Sequence, residues 1–535
     1  VSAVPAPPLT DGIDMLSSAM DEARSVPADP APGNIDPRQS SPGAHSYVDH
    51  LDARMLRIAG VCALASVMTI LDTTIVTVAQ NTFIVQFGST QAVVGWTMTG
   101  YLLAMATVIP IAGWAADRFG TKRLWMGSVL AFTLGSALCA AAPTILLLII
   151  FRAVQGIGGG MVMPIGFTIL TRAAGPKRLG RLMGVLGIPM LLGPIGGPIL
   201  GGWIIDAYGW KWIFLINLPL GLAALLFAAI VFPRDCPAPS ESFDLFGVLL
   251  LVPGLATFLF GVSAIPGRGT AADRHVLVPA IVGLLLIAMF VHHALHRADH
   301  PLIDLRLFSN VVVTQANLTL LVFAIAFFGT LLLLPTYFQQ VLHLTPLQSG
   351  LYLIPHGLGA MVTMPVAGAF MDRRGPGKAV ILGIALVAAG LAVFTVGVFE
   401  QARYLPTLLV GLATMGMGTG CAMTPLSGTA MRTLLPHQIA RGSTLISVNQ
   451  QVGGSIGAAL LSVILTTQLT RSESISIAGT VALSGATPQQ TLDPDLASMV
   501  LQDLSHSYGL AFGVATALTL SSLIPATFLP KTPAP

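Results

Sequence analysis

Once loops and termini are set aside, one carboxylate and one guanidinium remain inside the long apolar stretches of this sequence, those of Asp72 and Arg152. An ionised group at the centre of a bilayer costs about 2.5–3.5 kcal/mol on insertion scales, so an acid and a base that survive there need a reason. Two readings follow. The pair could neutralise itself and only hold two helices together, or Asp72 could be a proton site. Burial and a nearby guanidinium act on a carboxyl in opposite senses, so a small change in exposure can move a proton. His356 is a further titratable group in an apolar stretch, where a hydrogen-bonded imidazole is the expected state.

A second pattern lies between Gly180 and Gly202, GRLMGVLGIPMLLGPIGGPILGG. Gly193, Gly197 and Gly201 recur every four residues and so share one helix face on which a neighbouring backbone can approach closely. Pro189, Pro194 and Pro198 each remove a backbone donor, which predicts a kinked or easily bent helix, a hinge. A third pattern is a duplication. Gly113, Asp117, Arg118 and Gly120 (GWAADRFG) return as Gly368, Asp372, Arg373 and Gly375 (GAFMDRRG), each displaced by 255 residues. With Lys122, Arg123 and Arg374 beside them, these loops read as a latch that must break when one end opens, the aspartates placed to neutralise a helix start. Polar or aromatic residues that could line a cavity are Trp96, Tyr101, Gln155, Gln315, Asn317, Tyr337, His356, Asn449 and Gln450. A wide apolar cavity with one carboxylate favours lipophilic neutral or monocationic compounds and disfavours dications.

The elements that must position these residues are membrane helices. The chain has 535 residues, 54% hydrophobic and 9% charged, with mean hydropathy +0.80, which excludes a soluble protein of this size. Windows of about 19 residues place fourteen spans near 56–79, 92–114, 124–142, 145–171, 181–205, 212–232, 243–265, 275–296, 311–338, 349–371, 378–399, 404–430, 442–467 and 508–529. With both ends on the cytoplasmic side, twenty of the 26 basic residues fall inside and five outside, the remainder being Arg152, as the positive-inside rule requires. The glycines repeat as well. Gly156, Gly158 and Gly160 recur as Gly416, Gly418 and Gly420, and Gly193 and Gly197 as Gly453 and Gly457, all displaced by 260. Arg152 then falls opposite Leu412, Gln155 opposite Met415, and Asp72 opposite Phe327 at the displacement of 255, so the charge belongs to the first half alone.

The domain reading is therefore a disordered cytoplasmic tail (1–53), a six-helix half (54–233), two inserted spans that carry no polar motif and read as a peripheral spacer (234–300), a second six-helix half (301–530) and a short cytoplasmic tail (531–535). The tail lacks the pattern of a cleaved signal, leaving the first span as the expected insertion signal. Four scattered cysteines give neither a disulfide framework nor a metal site. No Gly-x4-Gly-Lys-Ser/Thr loop occurs, which argues against an ATP pump, and no nucleophile–base constellation suggests an enzyme.

Several of these stretches resemble signatures of the major facilitator superfamily. GWAADRFGTKR is similar to its loop between spans two and three, FRAVQGIGGG (Phe151 to Gly160) to its fourth-span motif, and GPIGGPILGG to the fifth-span antiporter motif. LDTTIVTVA (Leu71 to Ala79), GWKWIFLINLPLG (Gly209 to Gly221), IDLRLF (Ile303 to Phe308) and the inserted pair resemble the fourteen-span drug:proton antiporters of the EmrB/QacA type. The chain departs from that pattern at Thr77, Gln80 and Asn81 after the first-span motif, and at Asn449, Gln450 and Gln451, where an Arg-Gln pair is usual. The resemblance implies an all-α polytopic facilitator fold and a multidrug exporter of a bacterial plasma membrane. It would exchange protons for lipophilic compounds by alternating access, with Asp72 and Arg152 coupling the protons. It implies no cofactor, protons serving as the coupling ion. The expected partners are membrane lipid and small lipophilic substrates, with no nucleic acid, and a monomer is compatible with the sequence. Export of an endogenous lipid, siderophore or metabolite is the alternative, and a non-transporting membrane sensor is a third reading.

Overall fold

The computed structural model describes residues 52–235, 243–264, 273–297, 301–402, 404–435, 438–472, 474–475 and 494–530. Of the tail expected at 1–53, residues 1–51 lie outside the described residues, as do the tail at 531–535 and Cys236, while Ala53 already opens the first helix. Everything described is helix, turn or loop, with no strand among the described residues. Among the described residues, thirteen helices are long and apolar enough to cross a bilayer: α1 (Ala53–Val78), α2 (Val93–Phe119), α3 (Thr121–Ala140), α4 (Ile145–Ala174), α6 (Trp212–Val231), α7 (Leu245–Val262), α8 (Arg274–His296), α9 (Val311–Gln340), α10 (Leu347–Met371), α11 (Pro376–Phe399), α12 (Tyr404–Arg432), α13 (Ile439–Arg471) and α14 (Asp495–Ala526).

The fourteenth, α5 (175–208), emerges from a geometric contradiction. The helical stretch Ile145–Tyr208 counts 64 residues, and a straight helix of that length would span about 96 Å. Yet Arg152 and Gly193 both bond to α1, at Asp72 and Thr74 respectively. Two points so far apart along a rod cannot meet the same turn of a neighbour. The chain therefore doubles back between Ala174 and Gly193, and α4 and α5 are separate, oppositely directed elements, which agrees with the fourteen expected from hydropathy.

Local signals set several boundaries. Thr90 accepts from the Val93 amide and Thr144 from the Leu147 amide at the starts of α2 and α4, while Thr345 and Gln348 form a reciprocal capping box before α10. Gly120 and Gly375 both take φ +89°, a conformation L side chains avoid, at the turns from α2 to α3 and from α10 to α11.

The two halves repeat each other down to single contacts. A Cβ on Gly156 would strike the Tyr101 carbonyl, and one on Gly416 the His356 carbonyl, 255 residues on. Likewise Gly158 abuts the Phe132 amide and Gly418 the Val387 amide, while Gly160 abuts Met105 and Gly420 abuts Ala360. These glycines wedge α4 between α2 and α3, and α12 between α10 and α11, as closely packed membrane helices require. The inserted pair is not featureless. Asp244 caps α7 through the Gly247 amide (2.7 Å), accepts from the Leu302 amide (3.2 Å) and meets His293 Nε2 of α8 at 2.9 Å. Phe260 of α7 stacks on Trp96 of α2, so the pair is fastened to the first half, and Leu250, Leu251 and Leu255 share a core with Leu445 of α13.

Candidate functional site

Asp72 and Arg152 meet. α3 and α4 come close at this level because Gly135 of α3 lets the backbone of Gln155 approach, a Cβ there falling 2.7 Å from the Gln155 Cα. Arg152 Nη1 donates to Asp72 Oδ2 and, at 2.7 Å, to Gln155 Oε1; its Nε donates to the Thr97 carbonyl of α2 at 3.1 Å. Gln155, one turn along α4 on the same face, donates from Nε2 to Asp72 Oδ1 (2.8 Å) and to Ser136 Oγ of α3 (2.6 Å). Asn217 of α6 completes the set, donating to Asp72 Oδ1 (2.8 Å) and Ser136 Oγ (3.2 Å). Five helices thus converge on one carboxylate, which accepts from three side chains.

The network is sealed. Asp72 and Asn217 are 1% exposed, and Arg152, Gln155, Ser136 and Thr97 are 0%. Tyr101 lays its ring over the guanidinium, 4.1 Å from Cζ, with Phe214 5.9 Å away on another side. Arg152 Nη2 and the Tyr101 hydroxyl are buried polar atoms of this cluster without a hydrogen-bond partner among the described residues. An ionised carboxylate suits this arrangement, since all three of its neighbours are donors. A protonated one would have to turn a hydrogen toward a donor or surrender Arg152, so the charge state of Asp72 and the α1–α4 tie are linked.

Asp72 is closed off from solvent in this conformation, and Tyr101 and Gln155 belong to the sealed network. The other expected cavity residues are dispersed. Trp96 faces the inserted pair through Phe260. Tyr337 is packed among Phe338, Phe394, Tyr508 and Phe512. Asn449 donates to the Asn317 carbonyl at 2.7 Å, joining α13 to α9 within the second half, and Gln450 on the same helix is partly exposed. His356 contacts the Thr419 hydroxyl at 3.4 Å; because that hydroxyl donates to the Met415 carbonyl, Nε2 is left the donor. His356 and Met415 border an apolar void with Phe327, Thr330 and Leu334. This is the uncharged counterpart of the first-half site, as the repeat predicts.

The glycine face of α5 packs on α1 beside the carboxylate. A Cβ on Gly193 would overlap Ile70 and one on Gly197 would overlap Thr74, while at Gly201 it would lie 3.1 Å from Ile75. Thr74 Oγ1 donates to the Gly193 carbonyl at 3.0 Å. The helix that would bend is therefore seated two residues either side of Asp72. The side chains of Pro189, Pro194 and Pro198 lie outside the described residues.

At the loop end of the bundle, Asp117 pairs with Arg172 of α4 at 3.0 Å, and Arg441 of α13 feels its charge. Gly113 lets α13 approach, a Cβ there falling 3.2 Å from the Ala440 carbonyl, and Thr168 of α4 is hydrogen-bonded to Ser443 of α13 at 2.6 Å. The halves are closed against each other at this end. The helix start expected to be neutralised by Asp117 is served by another acid. Asp235, after α6, accepts from the amides of Lys122 (2.8 Å) and Arg123 (3.0 Å), filling the space a side chain at Gly120 would need, and Lys122 Nζ returns the bond to the Ala229 carbonyl of α6. The second copy is met differently. The Gly377 amide donates to the Pro530 carbonyl after α14, and Arg432 reaches the Met371 carbonyl. Gly368 and Arg373 both lie in the helical stretch Ile354–Arg374, and the side chains of Asp372 and Arg374 lie outside the described residues. Asn217, Ser136 and Asp235 were not singled out from the sequence. Asn217 stood within the quoted GWKWIFLINLPLG stretch as a polar residue at the mouth of an apolar span, the signal that could have found it.

Comparisons with known proteins give the family and the fold. The chain is 65% identical over 528 residues to the Multidrug resistance protein B homolog of Mycobacterium tuberculosis, covering 97% of this chain and 98% of that protein. It is 30% identical over 404 residues to the multidrug export protein EmrB of Haemophilus influenzae, covering 74% and 78%. In fold it is similar to the human organic anion transporter MFSD10 (TM-score 0.57, 16% identity, 87% of this chain and 99% of that one) and to the proton:xylose symporter XylE (0.56, 13%, 90% and 97%). Residues 62–458, from the first span through the antiporter stretch, both loops and the second glycine face, match the profile of the Major Facilitator Superfamily, and the chain is a member of that superfamily.

Proposed function

We propose that the protein is a multidrug exporter of a bacterial plasma membrane, driven by inward proton flow. The relatives named as multidrug transporters support the class. The single observation that carries the coupling is the Asp72 carboxylate shared by Arg152, Gln155 and Asn217 inside the membrane. Protonation of Asp72 removes the charge that Arg152 answers, loosens α1 from α4, and frees the glycine face of α5 to move against α1. Loss of the proton to the other side restores the tie. The loop end is the cytoplasmic end on the positive-inside rule, so the closed contacts there correspond to a cytoplasm-sealed state. The chain acts as a monomer without a cofactor, on lipophilic neutral or monocationic compounds. One proton moving down ~150 mV supplies about 3.5 kcal/mol, enough for a few-hundredfold gradient of a neutral substrate.

The test uses inside-out vesicles with an acidified lumen, following lumenal pH as lipophilic monocations are added. Substrate-dependent alkalinisation in vesicles holding the protein, and none in empty vesicles, is expected. No response to any lipophilic cation or neutral compound overturns the exporter reading.

A further inference from the structure

Two polar atoms of the sealed cluster are unpartnered, and they sit on residues that touch. Arg152 uses Nη1 for Asp72 and Gln155 and Nε for the Thr97 carbonyl, but its Nη2 donates to nothing among the described residues. The Tyr101 hydroxyl is also without a hydrogen bond among the described residues, although its residue is 0% exposed and its ring centre stands 4.1 Å from the guanidinium carbon. A buried donor and a buried acceptor left open beside each other are unfavourable, so their presence calls for a second state in which they meet. We propose that Tyr101 is the alternate partner of Arg152: when Asp72 is protonated, the guanidinium shifts along the ring and Nη2 donates to the Tyr101 hydroxyl. The proposal rests on the reading of Asp72 as the proton site and names what holds the arginine while that site is neutral.

The surroundings leave Tyr101 as the acceptor to be used. The Thr97 carbonyl already takes Nε, Gln155 Oε1 takes Nη1 and the Cys139 thiol at 3.6 Å, and the Ser136 hydroxyl is occupied by Gln155 and Asn217. The other ionisable groups facing Arg152 and Tyr101 are Asp72 of α1 and Cys139 of α3, while α6 presents Asn217 and Phe214, which carry no charge. α4 makes room for the ring. Its Gly156 admits the Tyr101 backbone, and at Gly159, two turns beyond Arg152 on the same face, a Cβ would fall 2.9 Å from the hydroxyl oxygen. The ring therefore reaches from the guanidinium to a gap that glycine leaves open. Thr73 of α1, whose hydrogen goes to the Thr69 carbonyl at 3.0 Å, faces the hydroxyl and can accept from it, so Oη keeps a lone pair for Arg152. The exchange decides which helix protonation releases. Arg152 keeps α2 and α4 together through Thr97, Gln155 and Tyr101, and α1 alone is set free against the glycine face of α5.

The test is an infrared titration of the purified full chain in lipid nanodiscs, following the carboxylic-acid band that Asp72→Asn removes, in wild type, Tyr101→Phe and Tyr101→Leu. Tyr101→Phe keeps the ring and loses the acceptor. Protonating Asp72 should then need about a tenfold higher proton concentration, because a hydrogen bond to a charged group is lost from the protonated state alone. Tyr101→Leu loses the ring as well and should need more still, and the Phe variant decides alone if Tyr101→Leu does not fold. Proton-driven transport should move along the pH axis by the same factor. Since the hydroxyl makes no bond in the sealed state, Tyr101→Phe should melt no lower than wild type at neutral pH. A Tyr101→Phe band that titrates with wild type overturns the proposal and leaves the proton site standing, and a lower melting temperature beside an unmoved band assigns Tyr101 to packing. A wild type without any Asp72 band overturns the proton-site reading, and this proposal with it.

Discussion

Neutralising both members of the Asp72–Arg152 pair should cost less than the sum of the two single neutralisations. In Arg152→Gln, Asp72 stays at 1% exposure with Gln155 and Asn217 as amide donors at 2.8 Å but no counter-charge. An uncompensated buried charge of this kind costs about 3–5 kcal/mol. In Asp72→Asn the stranded group is the guanidinium, which keeps the Thr97 carbonyl, Gln155 Oε1 and the Tyr101 ring, so its loss falls at the low end of that range and the protein stays folded. The double variant carries no buried charge and should recover about 2–3 kcal/mol relative to the sum of the single losses. The assay is unfolding of the purified chain in detergent for the wild type, both single variants and the double. Simple additivity would refute the reasoning, because the pair would then be two independent groups and not one coupled unit.

Four further outcomes follow from the same geometry. Gly197→Val drives a side chain into Thr74 and should cost about 1–3 kcal/mol by overpacking, visible as a lower melting temperature, whereas Gly202→Ala meets open space and should not. Thr168→Cys/Ser443→Cys, in a background without the native cysteines, should form a disulfide on oxidation, lock the loop end shut and stop transport until a reductant is added, as the two hydroxyls lie 2.6 Å apart. Asp235→Ala removes the acceptor for two amides at the start of α3 and should lower stability by about 1 kcal/mol, with Asp235→Asn recovering part of it. Asn217→Ala should reduce proton-driven transport more than it reduces substrate binding, measured as kcat against KM, because it loosens the hold on Asp72.

The membrane class, the fourteen spans and the twofold repeat were legible because each rests on a strong one-dimensional signal: apolar runs, charge asymmetry and glycines at fixed displacement. The Asp72–Arg152 pairing was legible by elimination, since few ionisable groups survive burial in hydrocarbon. Asn217 and Ser136 were not, because a single amide or hydroxyl in a span is ordinary until the third dimension aims it at a carboxylate. Side-chain polarity inside a span carries a similar ambiguity. It is satisfied as well by a neighbouring helix as by a substrate, and in this conformation Asn449 bonds to Asn317 while Trp96 stacks on Phe260. Asp235 was hidden by the loop motif itself, whose own Asp117 was the obvious partner for the α3 start but turns to Arg172 instead.

The most direct test of the account is accumulation of a lipophilic monocation in proteoliposomes with an acidic lumen and the transporter inserted inside out, comparing wild type with Asp72→Asn at equal protein. Wild type should concentrate the compound above equilibrium, and Asp72→Asn should only equilibrate it. Concentration against the gradient by Asp72→Asn would contradict it, and the buried pair would then be a fastening between helices and nothing more.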